Sequence, residues 1–369
     1  MGIKMGEPWF KLQDKYRNII AFSSNFPLYA DISNRVKKLM GEFSPIQESY
    51  SIDESFLDMT GVRDVWDRAF TLRSEILRQV GIPVSIGIAR TKTLAKLSSF
   101  IAKKHPRSRG VFSWNRLTEP QKQKMLGMIP VDEVWGVGRR LNKKLGLMGI
   151  TTARQLRNTD PSQMCSLFGI VMERLVSELQ EIPCLELTEL RPPRKQILSS
   201  RSFGRLVDEL DVLENAVAYH ASYVSEQLRE EHSVANIVQV FLQTDRFKEN
   251  LPQHCPQICL TFPAPTDSTL MIVRKAVEGL HRIVRDKVPY RKAGVCLHEL
   301  VSGNEVVPDL FSATETPAVV SVMDEINQRF GEGTLRISRD DRLAQSWKPK
   351  KDKISPAYTT DWNEVPLCG

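Results

Sequence analysis

Tyr50-Ser51-Ile52-Asp53-Glu54-Ser55-Phe56-Leu57-Asp58-Met59-Thr60 sets two adjacent carboxylates between two short apolar runs. Ile46, Tyr50 and Ile52 lead into the pair, and Phe56, Leu57 and Met59 follow it, spaced as strands are. Along one unbroken strand neighbouring side chains point to opposite faces, so Asp53 and Glu54 would not share a ligand. At the bend of a tight hairpin both can face one divalent cation, and two negative charges so close favour Mg²⁺. A solvated turn is the other reading of an isolated Asp-Glu, since both residues are common in turns.

Around this hairpin the first hundred residues alternate between strands and helices. The run 18–22 (Asn-Ile-Ile-Ala-Phe) reads as a short buried strand, and 30–40 as a helix with Ile32, Val36 and Met40 on one face. A helix over 65–80 follows, then a strand over 83–89 and a helix over 91–103 that aligns Leu94, Leu97 and Ile101. This order predicts an α+β sheet of the ferredoxin-like type with helices on one face. From 114 to 190 the pattern is helical. Arg191-Pro192-Pro193-Arg194-Lys195 is the clearest linker, because paired prolines stop a helix and the charges keep the segment solvated. Beyond it, 197–300 predicts a second small α+β domain, and the rest a polar tail with one helix near 318–328 and a lysine cluster at 347–353.

At 369 residues the chain is too long for one ordinary core. An apolar content of 41% and a charged content of 26% belong to a soluble globular protein. Lysine and arginine exceed the acids by 51 to 44, a net +7 that favours a polyanionic partner. The six cysteines form no framework, which suits reduced thiols in a cytoplasm. His254-Cys255-Pro256-Gln257-Ile258-Cys259 has no second cluster to complete a metal site. No run has membrane length and no signal peptide opens the chain.

A second signal is Val134-Trp135-Gly136-Val137-Gly138-Arg139-Arg140-Leu141-Asn142-Lys143-Lys144-Leu145, which has the form of a helix-hairpin-helix. Gly136 and Gly138 let backbone N–H groups approach a phosphate at the positive end of the second helix, and Arg139, Arg140, Lys143 and Lys144 surround that spot with cations. Such contacts position nucleic acid without reading its sequence. A plain helical hairpin with a solvated basic face is the alternative. The helix over 91–103 ends in Lys103 and Lys104, where a lysine can meet a triphosphate or simply complement the helix dipole.

These segments, with Gly87-Ile88-Ala89-Arg90-Thr91-Lys92 and Ser199-Ser200-Arg201-Ser202-Phe203-Gly204, occur in one order that closely resembles the Y-family translesion DNA polymerases, in particular the UmuC/MucB/ImpB type. The resemblance runs from Met1 to Thr360. It implies a multidomain α+β chain: a remnant of the fingers at 1–17, an incomplete ferredoxin-like palm at 18–112 and a helix-hairpin-helix thumb at 113–190. A linker at 191–196, a small α+β little finger at 197–300 and a C-terminal tail at 301–369 complete it. It implies that Asp53 and Glu54 are catalytic and hold Mg²⁺, and that Lys103 meets the incoming deoxynucleoside triphosphate. DNA would be gripped by Gly136, Gly138, Arg139, Arg140, Lys143 and Lys144 of the thumb and by Arg201 and Ser202 of the little finger. The implied chemistry is two-metal nucleotidyl transfer to a primer 3′-hydroxyl on damaged primer-template DNA, in an SOS-type damage response. Leu310 and Phe311 stand where the family carries its sliding-clamp peptide, with Val307 in place of the usual leading glutamine. A UmuD-type accessory dimer and a recombinase filament are further partners of the family.

The family opens with a strand bearing an aspartate ligand and an aromatic pair, whereas Met1-Gly2-Ile3-Lys4-Met5-Gly6-Glu7-Pro8 resembles an interior stretch. The expectation is a truncated product, or a start placed too far downstream. One of three carboxylates would be absent, ions would bind poorly, catalysis would fail, and an apolar slot would lie open beside the palm strands. The competing reading is a non-catalytic remnant that binds damaged DNA and the clamp. A base-excision glycosylase would share the hairpin but leave Asp53 and Glu54 unexplained.

Overall fold

The computed structural model describes residues 2–3, 5–9, 11–12, 16, 18–187, 193–248, 250–305, 318–331, 334–335 and 353–365. The chain forms two compact units, one of 1–191 with 353–369 and one of 192–352.

The first unit begins with α1 (Phe26–Gly41), capped by Asn25, whose side chain accepts from Leu28 N, with proline in the first turn. The antiparallel hairpin of β1 (Gln47–Ser49) and β2 (Ser55–Leu57) follows, with Glu48 opposite Phe56. Next comes α2 (Val65–Val80), which ends where Gly81, at φ 82°, turns its N–H back to Leu77 O. Then β3 (Ile86–Ile88) runs parallel to β4 (Val111–Ser113), and α3 (Lys92–Lys104) crosses between them. Gly87 is required for this crossover. A Cβ there would lie 2.1 Å from Ala95 O and 2.3 Å from Ser99 N, so β3 and α3 touch backbone to backbone.

The run 18–22 is not a buried strand. It belongs to no strand, and Ile20 and Phe22 are 82% and 66% exposed. Its apolar residues fit a strand, but no described strand lies beside it to pair with. The adjoining Ser23 instead takes a single parallel bridge to Ile354, with Ser23 N donating to Lys353 O at 2.6 Å.

Helices α4 (Glu119–Met128), α5 (Arg139–Leu147), α6 (Ala153–Arg157), α7 (Pro161–Phe168) and α8 (Ile170–Leu179) complete this unit. Their core includes Trp114, Leu126, Val134, Leu145, Leu156 and Val176, and it takes in Leu94, Leu97 and Ile101 of α3. The apolar face of α3 is therefore shared with the helical region. The fully buried Glu178 fixes its start, accepting from Thr93 N at 2.9 Å and from Cys184 N at 3.0 Å, while Thr91 Oγ1 donates to Glu178 O. A carboxylate at a helix N-terminus satisfies a free N–H and meets the positive end of the dipole.

The second unit is an antiparallel sheet in the order β5 (Gln196–Val207), β8 (Tyr290–Ser302), β6 (Ser233–Thr244), β7 (Gln257–Thr266). Helices α9 (Leu210–Glu230) and α10 (Thr269–Ile283) cover one face. Val238, Val240 and Leu242 alternate inward on β6, and Leu213, Val217, Val224 and Leu228 recur at helical spacing on α9. Helix α11 (Ala318–Phe330) docks through Arg229, whose Nε and Nη2 donate to Asp324 at 2.6 and 2.9 Å. Leu310, Phe311 and the cluster at 347–352 lie outside the described residues.

Candidate active site and nucleic-acid interface

The carboxylates sit at the bend of a hairpin. Residues 50–54 reverse the chain between β1 and β2, and Ser51 N donates to Glu54 O at 3.0 Å. The two acids take different partners. Asp53 Oδ1 accepts from Ser51 Oγ at 2.7 Å, and Glu54 Oε2 accepts from Lys96 Nζ at 3.1 Å. Asp58 is engaged separately: the Thr60 hydroxyl, and then its N–H, hold the Asp58 carboxyl below the usual carboxylate range.

Lys96, Lys92 and Trp135 converge here with Tyr50 and Phe56 of the hairpin. Lys96 Nζ lies 4.6 Å from the centre of the Tyr50 ring and 4.8 Å from that of Trp135, whose Nε1 donates to Tyr50 Oη at 3.1 Å. One turn earlier on α3, Lys92 pairs with Glu48 at 2.5 Å and lies 5.0 Å over the Phe56 ring. The spacing of Lys92 and Lys96 puts them on one helical face, but nothing in the sequence says which acids or rings they meet.

Trp135 leads into the glycine hairpin. Gly136 has φ 92°, a region open to glycine, and Gly138 caps α5 without a side-chain cap. A Cβ on Gly138 would meet nothing within 4 Å, so the N-terminus of α5 is approachable. Val137 is buried between them and anchors the turn, while Arg139, Arg140, Lys143 and Lys144 are exposed. Asp53, Glu54, Lys103, Gly136 and Gly138 all line one open cavity of about 2190 Å³. Among the described strands, β2 pairs only with β1 and β3 only with β4, and both border this cavity. Arg201 and Ser202 lie elsewhere, exposed on β5 of the second unit, opposite Ala293 and Lys292.

Two carboxylates fit Mg²⁺, which keeps several waters and is held by one or two acids together with substrate phosphates. Among the described residues no group of three His, Cys, Asp or Glu side chains is arranged to hold a metal. In the geometry seen each acid takes a donor of its own, Ser51 for Asp53 and Lys96 for Glu54.

The chain matches the impB/mucB/samB family model over residues 1–100 and the model of that family's C-terminal domain over 194–310. A third model, described as a domain of unknown function, matches 317–367. Protein UmuC of Salmonella typhimurium is 38% identical over 375 residues, covering 99% of this chain and 88% of the relative. Protein SamB of Salmonella typhimurium and protein MucB of Escherichia coli are each 37% identical, over 100% of this chain and 88% of theirs. A solved Y-family DNA polymerase chimera shares the fold with a TM-score of 0.62 at 22% identity, over 81% of this chain and 84% of that one. The chain belongs to the impB/mucB/samB family, with the fold of the Y-family polymerases.

Proposed function

We propose that this chain serves error-prone translesion DNA synthesis in a damage response, transferring a nucleotidyl group to a primer 3′-hydroxyl on damaged template. The observation that carries the reading is the convergence of Asp53, Glu54, Lys103 and the Gly136–Gly138 turn on one cavity. The cavity is open enough to accept a distorted template base, since selectivity comes from contacts that reject the wrong shape. Bound Mg²⁺ would neutralise the triphosphate and activate the primer hydroxyl. The chain's own part is to present Asp53 and Glu54 to it, to meet the triphosphate with Lys103, and to hold a backbone phosphate at the start of α5. Arg139, Arg140, Lys143 and Lys144 add sequence-independent attraction, and Arg201 and Ser202, exposed on β5, give the second unit polar contacts of its own for DNA.

The domains follow as palm at 18–112, thumb at 113–190 and little finger at 197–300. Leu310 and Phe311 would engage the sliding clamp, with a UmuD-type dimer and a recombinase filament as accessory partners in a cytoplasmic setting. No described helix is long and apolar enough to cross a membrane.

Primer extension on an abasic template, with Mg²⁺ and deoxynucleoside triphosphates, tests the reading. Extension that Glu54→Gln abolishes supports it. The second reading, a non-catalytic remnant that binds damaged DNA, is favoured by Asp53 and Glu54 forming, among the described residues, no group of three side chains arranged to hold a metal. A chain that shifts DNA with steep salt dependence yet never extends it would select that reading.

A further inference from the structure

We infer that Lys96 is a positioning residue that couples cation binding at Asp53 and Glu54 to DNA binding at the Gly136–Gly138 turn. The inference deepens the function proposed above and rests on those acids taking Mg²⁺.

Lys96 touches three side chains at once, two on the carboxylate hairpin and one at the entry to the glycine turn. Its Nζ is 3.1 Å from Glu54 on the hairpin, and it lies over Tyr50 and over Trp135, the residue before Gly136. The Lys96 side chain is 21% exposed and that of Glu54 is 45% exposed. At that exposure solvent screens the ion pair and leaves it weak. The two aromatic faces each attract the ammonium through the ring quadrupole, and more strongly the less water surrounds it. The rings therefore hold Lys96 more firmly than Glu54 does. The Trp135 Nε1 bond to Tyr50 Oη closes the cage from the far side.

When Glu54 turns to a cation, Lys96 stays in the cage and loses its neutralising partner. A full positive charge is then left next to Trp135, at the mouth of the turn that meets a backbone phosphate. Mg²⁺ at the acids thereby strengthens DNA binding at the hairpin, and by linkage DNA strengthens Mg²⁺ binding. Without DNA, the same lysine holds Glu54 and keeps the pair from repelling.

The test is equilibrium binding of a fluorescent primer-template to the full chain, read by anisotropy with and without Mg²⁺ at matched ionic strength, with no nucleotide present. The Mg²⁺-induced gain in affinity should be about 5-fold larger in the wild type than in Lys96→Met, at the low end of allosteric couplings. Lys96→Arg should restore most of it, and Trp135→Phe should reduce it while circular dichroism stays unchanged. An equal Mg²⁺ response in wild type and Lys96→Met, or no response in either, overturns the inference. Glu54→Gln separates the two claims. Loss of the response in Glu54→Gln but not in Lys96→Met defeats the coupling alone, whereas a response that Glu54→Gln leaves intact defeats the reading of the acids as metal ligands.

Discussion

The sheet of the second unit and the palm strands of the first are built from similar apolar residues and end in opposite states. Strands β5 to β8 run 10 to 13 residues, β8 is paired on both edges, and two helices seal one face over Phe203, Val240, Tyr290 and Val295. The palm strands are three residues each, in two separate pairs, over a cluster in which Leu39, Leu72 and Ile76 are the buried members. A sheet whose central strands are paired on both sides and whose one face is covered by helices is self-sufficient. Strands beside an open cavity are held by what lies behind them. For the carboxylate hairpin that support is α3, seated in the helical core and pinned by Glu178. The rigid side of the candidate site is thus its helix.

Core truncation should break this comparison most visibly. Leu242→Ala in the second unit should cost about 3–5 kcal/mol, because a closed core cannot collapse around the void. Leu72 already lines the large cavity, so Leu72→Ala should cost only about 2 kcal/mol, the transfer contribution without a new void. Urea unfolding of both variants, followed with peptide-resolved hydrogen exchange, measures the two costs; equal values would erase the contrast. In the wild type the same exchange experiment should leave amides of β6 and β8 protected up to global unfolding, while those of 47–57 exchange through local opening.

Arg229→Met should cost about 1–3 kcal/mol and raise exchange in α11. It removes a forked ion pair whose side chains are 13% and 20% exposed, and it also frees the Asp267 carbonyl and the Thr269 hydroxyl. Selective loosening of α11, with β6 unchanged, would show that this helix is an addition to the helix-covered sheet and not part of its core.

Acid should distinguish the units next. Burial, helped by the charges of Arg201 and Lys292, pushes His220 down to about 3, while Ser199 Oγ is hydrogen-bonded to its Nδ1 at 2.8 Å. Between the ordinary histidine value of 6.5 and about 3 the unfolded chain binds a proton that the folded one does not. The stability of the second unit is therefore complete above 6.5 and falls by up to about 1.4 kcal/mol per pH unit below it. Thermal unfolding from pH 7 to pH 5 checks this, and His220→Leu should flatten the slope. The smallest stability effect belongs to the exposed cations of α5. Arg140→Ala and Lys144→Ala should change stability by less than about 0.5 kcal/mol, yet each should reduce the salt slope of DNA binding by about 1.

Much of this was legible in order and period. The helix expected at 65–80 is α2, and the one expected over 91–103 is α3. The run 18–22 misled because apolar composition records a tendency to be buried but not the presence of a partner, and Ile20 and Phe22 face solvent. The spacing of Leu94, Leu97 and Ile101 identified a buried face but not its neighbour, which is the helical core as well as the sheet. Lys96 gave no signal, since a lysine on a helix is ordinarily solvated.

The sequence by itself determined the helices at 65–80 and 91–103, the hairpin that carries Asp53 and Glu54, and the glycine turn before α5, because these depend on local period and on φ angles open to glycine. Only the tertiary structure decided that Glu54 meets Lys96, that Trp135 closes over both, and that β2 and β3 border one cavity. Those contacts join residues 42 and 85 positions apart, and no local pattern encodes which distant side chain will share a point in space.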